Sequence, residues 1–391
     1  MRNFPIETAL AIVTLAAMLS GTHLLLPAIH GPAPAQFASI VDFPPGGTLL
    51  SPLVAHVEPA PAPTLKRGAP SPLLDDAGHG FVLIGKPWAW YRHNGVEVSA
   101  SGWNMSRASF SESHDGLFGL GGVSFVANGV ASSKIVYSSA GHTHFEVWYL
   151  KEPGGGSLSV TGDGESLGDV DTGADEKAPA VAVFHAPAGV HTLELNVVRP
   201  PVRLFGVVAE KSGPGVVYDT LGLNGASVNV LSYLMNAKHL AEELRQRHPD
   251  LVIVNYGTNE ADFASFIDHG YEKELREAIR RIRAALPEAS ILVMSPMDRG
   301  QHSGGDIETM PTIPRLVEIQ RRVARETGCG FFDTFHAMGG DGTMARWYTG
   351  QPRLVSADLI HPFPAGGKTI AVIFARELAA GLNRYKLRQL R

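Results

Sequence analysis

The chain has 391 residues, 44% of them apolar and 18% charged, with a formal net charge of −5. This is the profile of a globular chain with room for two domains, and it excludes an intrinsically disordered one. Lys and Arg never gather into a stripe that could follow a phosphate backbone, so no nucleic-acid partner is expected. The single cysteine, Cys329, rules out an intramolecular disulfide framework, and its apolar setting in Cys329-Gly330-Phe331-Phe332 predicts a buried structural thiol.

Residues 1–30 have the pattern of a targeting segment. Arg2 gives a positive start, Thr8 to Ile29 is apolar apart from small hydroxyl residues and His23, and Ala33-Pro34-Ala35 offers a cleavage site. The apolar stretch is long enough either for a cleaved signal or for a membrane anchor. Both alternatives place the rest of the chain outside the cytoplasm, in the periplasm, secreted or membrane-anchored. Residues 31–77 follow as a Pro/Ala-rich linker, with Pro44-Pro45-Gly46-Gly47 and Pro59-Ala60-Pro61-Ala62-Pro63.

Over residues 78–212 the pattern changes to short alternating runs. They include Val123 to Val126, Ser133 to Tyr137, His144 to Leu150, Ala180 to Phe184 and His191 to Val198. Turn residues punctuate them every 8 to 15 positions, which predicts an antiparallel β-sandwich or jelly roll. Residues 213–391 follow an α/β grammar. A strand at Val216 runs into the Gly-rich turn that ends at Ala226. Then come a helix from Ala237 to Arg247, a strand from Leu251 to Tyr256, and a helix from Tyr271 to Leu286. A strand from Ser290 to Met294, a helix from Ile313 to Thr327, a strand from Gly330 to Phe335 and a last helix from Ala365 to Lys386 complete it. Strands alternating with crossover helices predict a parallel sheet covered on both faces.

Reactive groups of such sheets collect at the carboxyl ends of the strands. Three segments fall there: Gly222-Leu223-Asn224-Gly225, Gly257-Thr258-Asn259-Glu260 and Asp358-Leu359-Ile360-His361. Asp358 can accept the Nδ1 proton of His361 and leave Nε2 as a general base. Asn259 can aim its amide at a developing oxyanion, with the backbone N–H of Gly225 as second donor. The plain alternatives are a structural Asp-His turn, an Asn cap and a glycine relieving a tight turn.

These segments resemble the second, third and fifth sequence blocks of SGNH (GDSL-type) hydrolases. The layout is similar to two-domain peptidoglycan O-acetylesterases, in which a carbohydrate-binding-like β module follows the first block. The resemblance implies a flavodoxin-like parallel sheet with helices on both faces plus an inserted antiparallel module. It also implies a Ser-His-Asp triad containing His361 and Asp358, and an oxyanion hole from Gly225 and Asn259. The implied activity is an extracytoplasmic esterase removing acyl groups, foremost O-acetyl, from a cell-wall or surface glycan. A glycan-binding homologue without catalysis and an O-acyltransferase are the alternatives.

One block departs from the family. Gly-Asp-Ser, which would carry the nucleophile, is absent. The nearest serine upstream of the β module, Ser71, lies between Pro70 and Pro72, which restrict the strand-to-helix turn a nucleophile needs. Residues 40–75 are therefore either a degenerate first block or a damaged reading of the gene, and the sheet is expected to be short of its first strand and helix.

The other features are these. Trp88, Trp90 and Tyr91 are candidates for stacking on sugar, with burial in the core as the alternative. His142 and His144 alternate along a strand, but no third metal ligand is identifiable. Asp163 and Asp169 to Asp171 lie in a Gly-rich region open to calcium or to plain turn chemistry. No Walker, Rossmann or zinc-finger pattern occurs, so no cofactor is expected.

Overall fold

The computed structural model describes residues 77–389, apart from 90, 110–114, 140 and 214, together with the pair Val41–Asp42. The targeting segment, most of the linker, Ser71 and Trp90 lie outside the described residues.

Two antiparallel sheets form the β module. The six-stranded sheet runs in the order Ala178–Val190, His142–Lys151, Val202–Lys211, Val123–Ala127, Asn104–Arg107, and Gly78–Val82 also pairs with Val202–Lys211. The five-stranded sheet runs Val96–Ser101, Ser132–Tyr137, Thr192–Arg199, Ser157–Gly162, Glu165–Asp171. Ser157–Gly162 is buried at every second residue, so its sheet covers the core with one face only. Val202–Lys211, by contrast, is buried at its first eight positions. One of its faces meets the other sheet, and its Phe205 meets His239 edge-on, with ring centroids 5.1 Å apart, on the helix Ala237–Arg247.

That helix, α1 (Ala237–Arg247), begins the α/β part. Its N-cap Asn236 accepts hydrogen bonds from the backbone of Lys238 and His239, and His248 closes it in the left-handed conformation. Then follow α2 (Glu272–Ala285), α3 (Thr312–Glu326), α4 (Thr334–Ala337), α5 (Thr343–Thr349) and α6 (Pro364–Gln389). In α2 the buried side chains are Leu275, Ala278, Ile279, Ile282 and Ala285, one stripe at helical spacing.

Leu251–Asn255, Ser290–Met294 and Gly330–Phe332 are parallel neighbours in that order. Their side chains alternate between two cores. Val254, Ile291, Val293 and Phe331 join the core of α1, α2 and α3. Leu251, Ile253, Leu292 and Phe332 join Phe374 and Ala371 of α6. Helices thus cover both faces, as expected. Val41–Asp42 adds to the sheet antiparallel, Val41 opposite Phe332 and Asp42 opposite Phe331. The β module is therefore an insertion between two pieces of one sheet.

Two expectations change. Val216 to Asp219 forms no strand of the parallel sheet. Asp219 accepts from the Phe81 N–H at 2.8 Å and from Arg247 Nε at 2.6 Å, which draws the segment toward the β module. Among the described residues, the free edge of Leu251–Asn255 has no partner strand, in keeping with the missing first block. The Gly330 strand also ends earlier than expected, at Phe332, because Asp333 caps α4 by accepting from His336 N.

Candidate active site

Asp358 and His361 form the expected pair. His361 Nδ1 donates to Asp358 Oδ2 at 2.7 Å, and the backbone N–H groups of Ile360 and His361 donate to Oδ1 at 2.9 and 3.0 Å. Ser356 Oγ donates to the same oxygen. Burial works against ionisation of Asp358, but these donors outweigh it and hold the carboxyl well below the ordinary carboxylate range. With Nδ1 carrying the proton, Nε2 of the neutral ring is the basic nitrogen. It has no protein partner among the described residues, and the ring is one-fifth exposed.

Leu359 completes this turn at φ 61°, an uncommon conformation for a branched residue. Its N–H donates to Ser356 O, and its carbonyl accepts from Gly300 N at 2.9 Å. A Cβ on Gly300 would lie 3.0 Å from Leu359 Cβ, so glycine allows the close approach.

Asn259 follows the Leu251–Asn255 strand. Its Nδ2 donates to Ala226 O at 2.7 Å, which brings the Gly222–Gly225 turn alongside it. Glu260 joins the same two loops from beneath, accepting from Val228 N at 2.7 Å and Gly257 N at 3.0 Å. Glu260 is 1% exposed, and burial raises its carboxyl above the ordinary range despite those donors. Gly225 is exposed with φ 69°, and Gly257 has φ 120°, so each glycine occupies a conformation that side chains resist.

Glu260, Ser356 and Arg299 were not singled out by the sequence. Arg299 Nη1 donates to Thr258 O at 2.9 Å, and Nη2 reaches both oxygens of Asp262 at 2.7 Å. It opens the Gly300–Ser303/Asp306–Thr309 hairpin, also unforeseen. The one sequence signal for Glu260 is its place in Gly-Thr-Asn-Glu. Arg299 gives none.

A second Asp-x-x-His occurs at Asp333-Thr334-Phe335-His336 with the same local geometry: Nδ1 to Oδ2 at 2.7 Å and backbone N to Oδ1 at 3.0 Å. Asp333 also binds Arg321 and caps α4. The dyad geometry alone is thus a capping motif. What sets Asp358 and His361 apart is their link through Gly300 and Arg299 to the Asn259 loop.

The remaining candidates have structural explanations. Tyr91 is buried, with Trp88 against it edge-on at 5.5 Å. His142 is buried, its ring hydrogen-bonded to His79 at 2.8 Å, whereas His144 bonds Glu146. Asp163 accepts from the backbone of His191 and Thr192, as a turn carboxylate does. Cys329 is 1% exposed. Among the described residues, no group of three or more His, Cys, Asp or Glu could hold a metal ion.

Residues 188–368 match the model of the GDSL-like Lipase/Acylhydrolase family. The chain is similar in fold to a peptidoglycan O-acetylesterase, at 24% identity over 79% of this chain and 83% of that chain, with TM-score 0.66. It also matches an acetylxylan esterase from Geobacillus stearothermophilus (23% identity, 39% and 68% covered, TM-score 0.30). A salicylyl-acyltransferase from a tetracycline biosynthetic pathway matches as well (16%, 74% and 98%, TM-score 0.29). No curated protein sequence matches the chain. The family match identifies residues 188–368 as a GDSL-like lipase/acylhydrolase domain. That segment lies within a fold similar to that of the peptidoglycan O-acetylesterase.

Proposed function

We propose that this protein is an extracytoplasmic SGNH-type esterase that removes acyl groups, foremost O-acetyl, from a cell-wall or surface glycan. The observation that carries the reading is the Asp358–His361 pair, its Nε2 unpartnered among the described residues, tied by hydrogen bonds to the loop of Asn259. The fold likeness to a peptidoglycan O-acetylesterase supports the choice of an acetylated glycan, and the N-terminal sequence pattern supports the location.

In this reading His361 Nε2 takes the proton of a serine hydroxyl as its oxygen attacks the ester carbonyl. Asp358 holds the ring tautomer and balances the imidazolium. Asn259 Nδ2 and the Gly225 N–H receive the oxyanion, and His361 returns the proton to the leaving alcohol. Water then repeats the sequence on the acyl-enzyme. The serine is unassigned, and Ser71 is the candidate upstream of the β module.

One observation favours a second reading, a glycan-binding homologue without catalysis: no hydroxyl among the described residues bonds His361 Nε2, and Gly-Asp-Ser is absent. Labelling with a serine-reactive fluorophosphonate separates the two. Labelling that disappears in His361→Ala supports the esterase and locates its serine by peptide mapping. Absent labelling with retained glycan binding supports the second reading.

A further inference from the structure

We propose that Arg299 is a positioning residue that sets the Asn259 loop against the Asp358–His361 turn. The proposal rests on the esterase reading for its catalytic consequence, but not for its geometry.

Arg299 holds the Asn259 loop from both sides. Nη1 takes the carbonyl of Thr258, immediately before Asn259, and Nη2 takes the carboxylate of Asp262, three residues after it. The guanidinium is mostly buried, at 13% exposure, while Asp262 is 51% exposed. A surface ion pair of this kind adds little stability, yet the fork fixes the direction of the Thr258–Asn259 peptide. The backbone of the same segment reaches the other loop, where Gly300 N holds the carbonyl of Leu359, the left-handed residue between Asp358 and His361.

The segment itself is anchored. Asp298 is 1% exposed, and its carboxylate accepts from Thr309 Oγ1 at 2.8 Å and Met344 N at 2.7 Å. Arg299 O accepts from Met310 N at 2.7 Å. Three consecutive residues therefore form a fixed strap with one hand on each half of the site. A lysine has one nitrogen in place of the planar fork, so it cannot hold Thr258 O and both Asp262 oxygens in the same geometry.

The test compares Arg299→Ala, Arg299→Lys and Asp262→Asn. For hydrolysis of a small aryl acetate, Arg299→Ala and Arg299→Lys should lower kcat by about 10²-fold with KM little changed, as expected for misplaced groups. Asp262→Asn, which keeps the Thr258 bond, should lose less. Millimolar guanidinium added to Arg299→Ala should restore much of the rate, and Tm should move little. A readout without turnover accompanies it: the side-chain amide resonances of Asn259 and the ring resonances of His361 should both shift in Arg299→Ala and return with guanidinium. If wild type hydrolyses nothing but those resonances respond together, the esterase reading fails and the strap stands. Unchanged kcat in Arg299→Ala, or resonances of Asn259 and His361 that ignore it, would overturn the proposal.

Discussion

Glu243 offers a test of how the two halves of the molecule are joined. It lies on α1, is 0% exposed, and neither carboxyl oxygen has a hydrogen bond among the described residues. The titratable His239 lies 3.6 Å away and is itself 3% exposed. Burial raises the Glu243 carboxyl well above 4.5. Burial, and then repulsion from Arg203, lowers His239 to about 4. His239 is therefore neutral at pH 7, and burial favours the protonated form of Glu243.

The linkage follows from those directions. The folded protein keeps the Glu243 proton at pH values where the unfolded chain has released it. Stability from this group is complete below about pH 4.5 and is lost as pH rises, at up to about 1.4 kcal/mol per unit until the folded carboxyl ionises. Glu243→Gln removes that titration but keeps the shape. His239 contributes a slope of the opposite sign, losing stability as pH falls below 6.5, so the two groups are told apart by the direction of the change. Urea unfolding at pH 5, 6 and 7 should show the variant gaining stability on wild type as the pH rises. A difference that does not change with pH would mean that Glu243 is ionised in the folded state, and the packing of α1 against the β module would need revision.

Three further predictions concern the site. Gly300→Ala places a Cβ 3.0 Å from Leu359 Cβ and 3.3 Å from Ile307 Cγ2; ester hydrolysis should fall by at least about tenfold, against a stability cost of about 1–3 kcal/mol seen in thermal melts. Gly257→Ala forces a side chain to φ 120° and toward Gln320 and Pro296, which should cost about 1–3 kcal/mol in denaturant melts. Asp358→Asn should reduce kcat by on the order of 10⁴-fold, because the amide no longer enforces the tautomer. Since the folded carboxyl of Asp358 is depressed, its contribution to stability is present above about pH 4 and lost below it. Wild-type pH–rate profiles should accordingly show no limb from Asp358 between pH 5 and 8.

Much of the molecule could be read from local pattern. The stripe Leu275, Ile279, Ile282 marks α2, and the alternation in Ser157–Gly162 marks a strand with one wet face, since burial imposes a period on the sequence. Asp358 and His361 could be paired because both sit in one turn. Contacts between distant positions left no such trace. Arg299 to Thr258 and Glu260 to Val228 span 41 and 32 residues, and nothing in the intervening sequence records them. The Val216 segment misled because its apolar residues suit a strand, while Asp219 is drawn away by Arg247, 28 residues on. The Asp333–His336 pair shows the opposite hazard, a motif with the right spacing that serves as a helix cap.

The central claim is that His361 Nε2 and the Asn259 amide act on one ester. Acetate release from an O-acetylated glycan by the full chain measures it directly, with wild type beside His361→Ala and Asn259→Ala. The account predicts release by wild type, none from His361→Ala, and a loss of about 10²–10³-fold in kcat for Asn259→Ala. Equal release by all three proteins would contradict it.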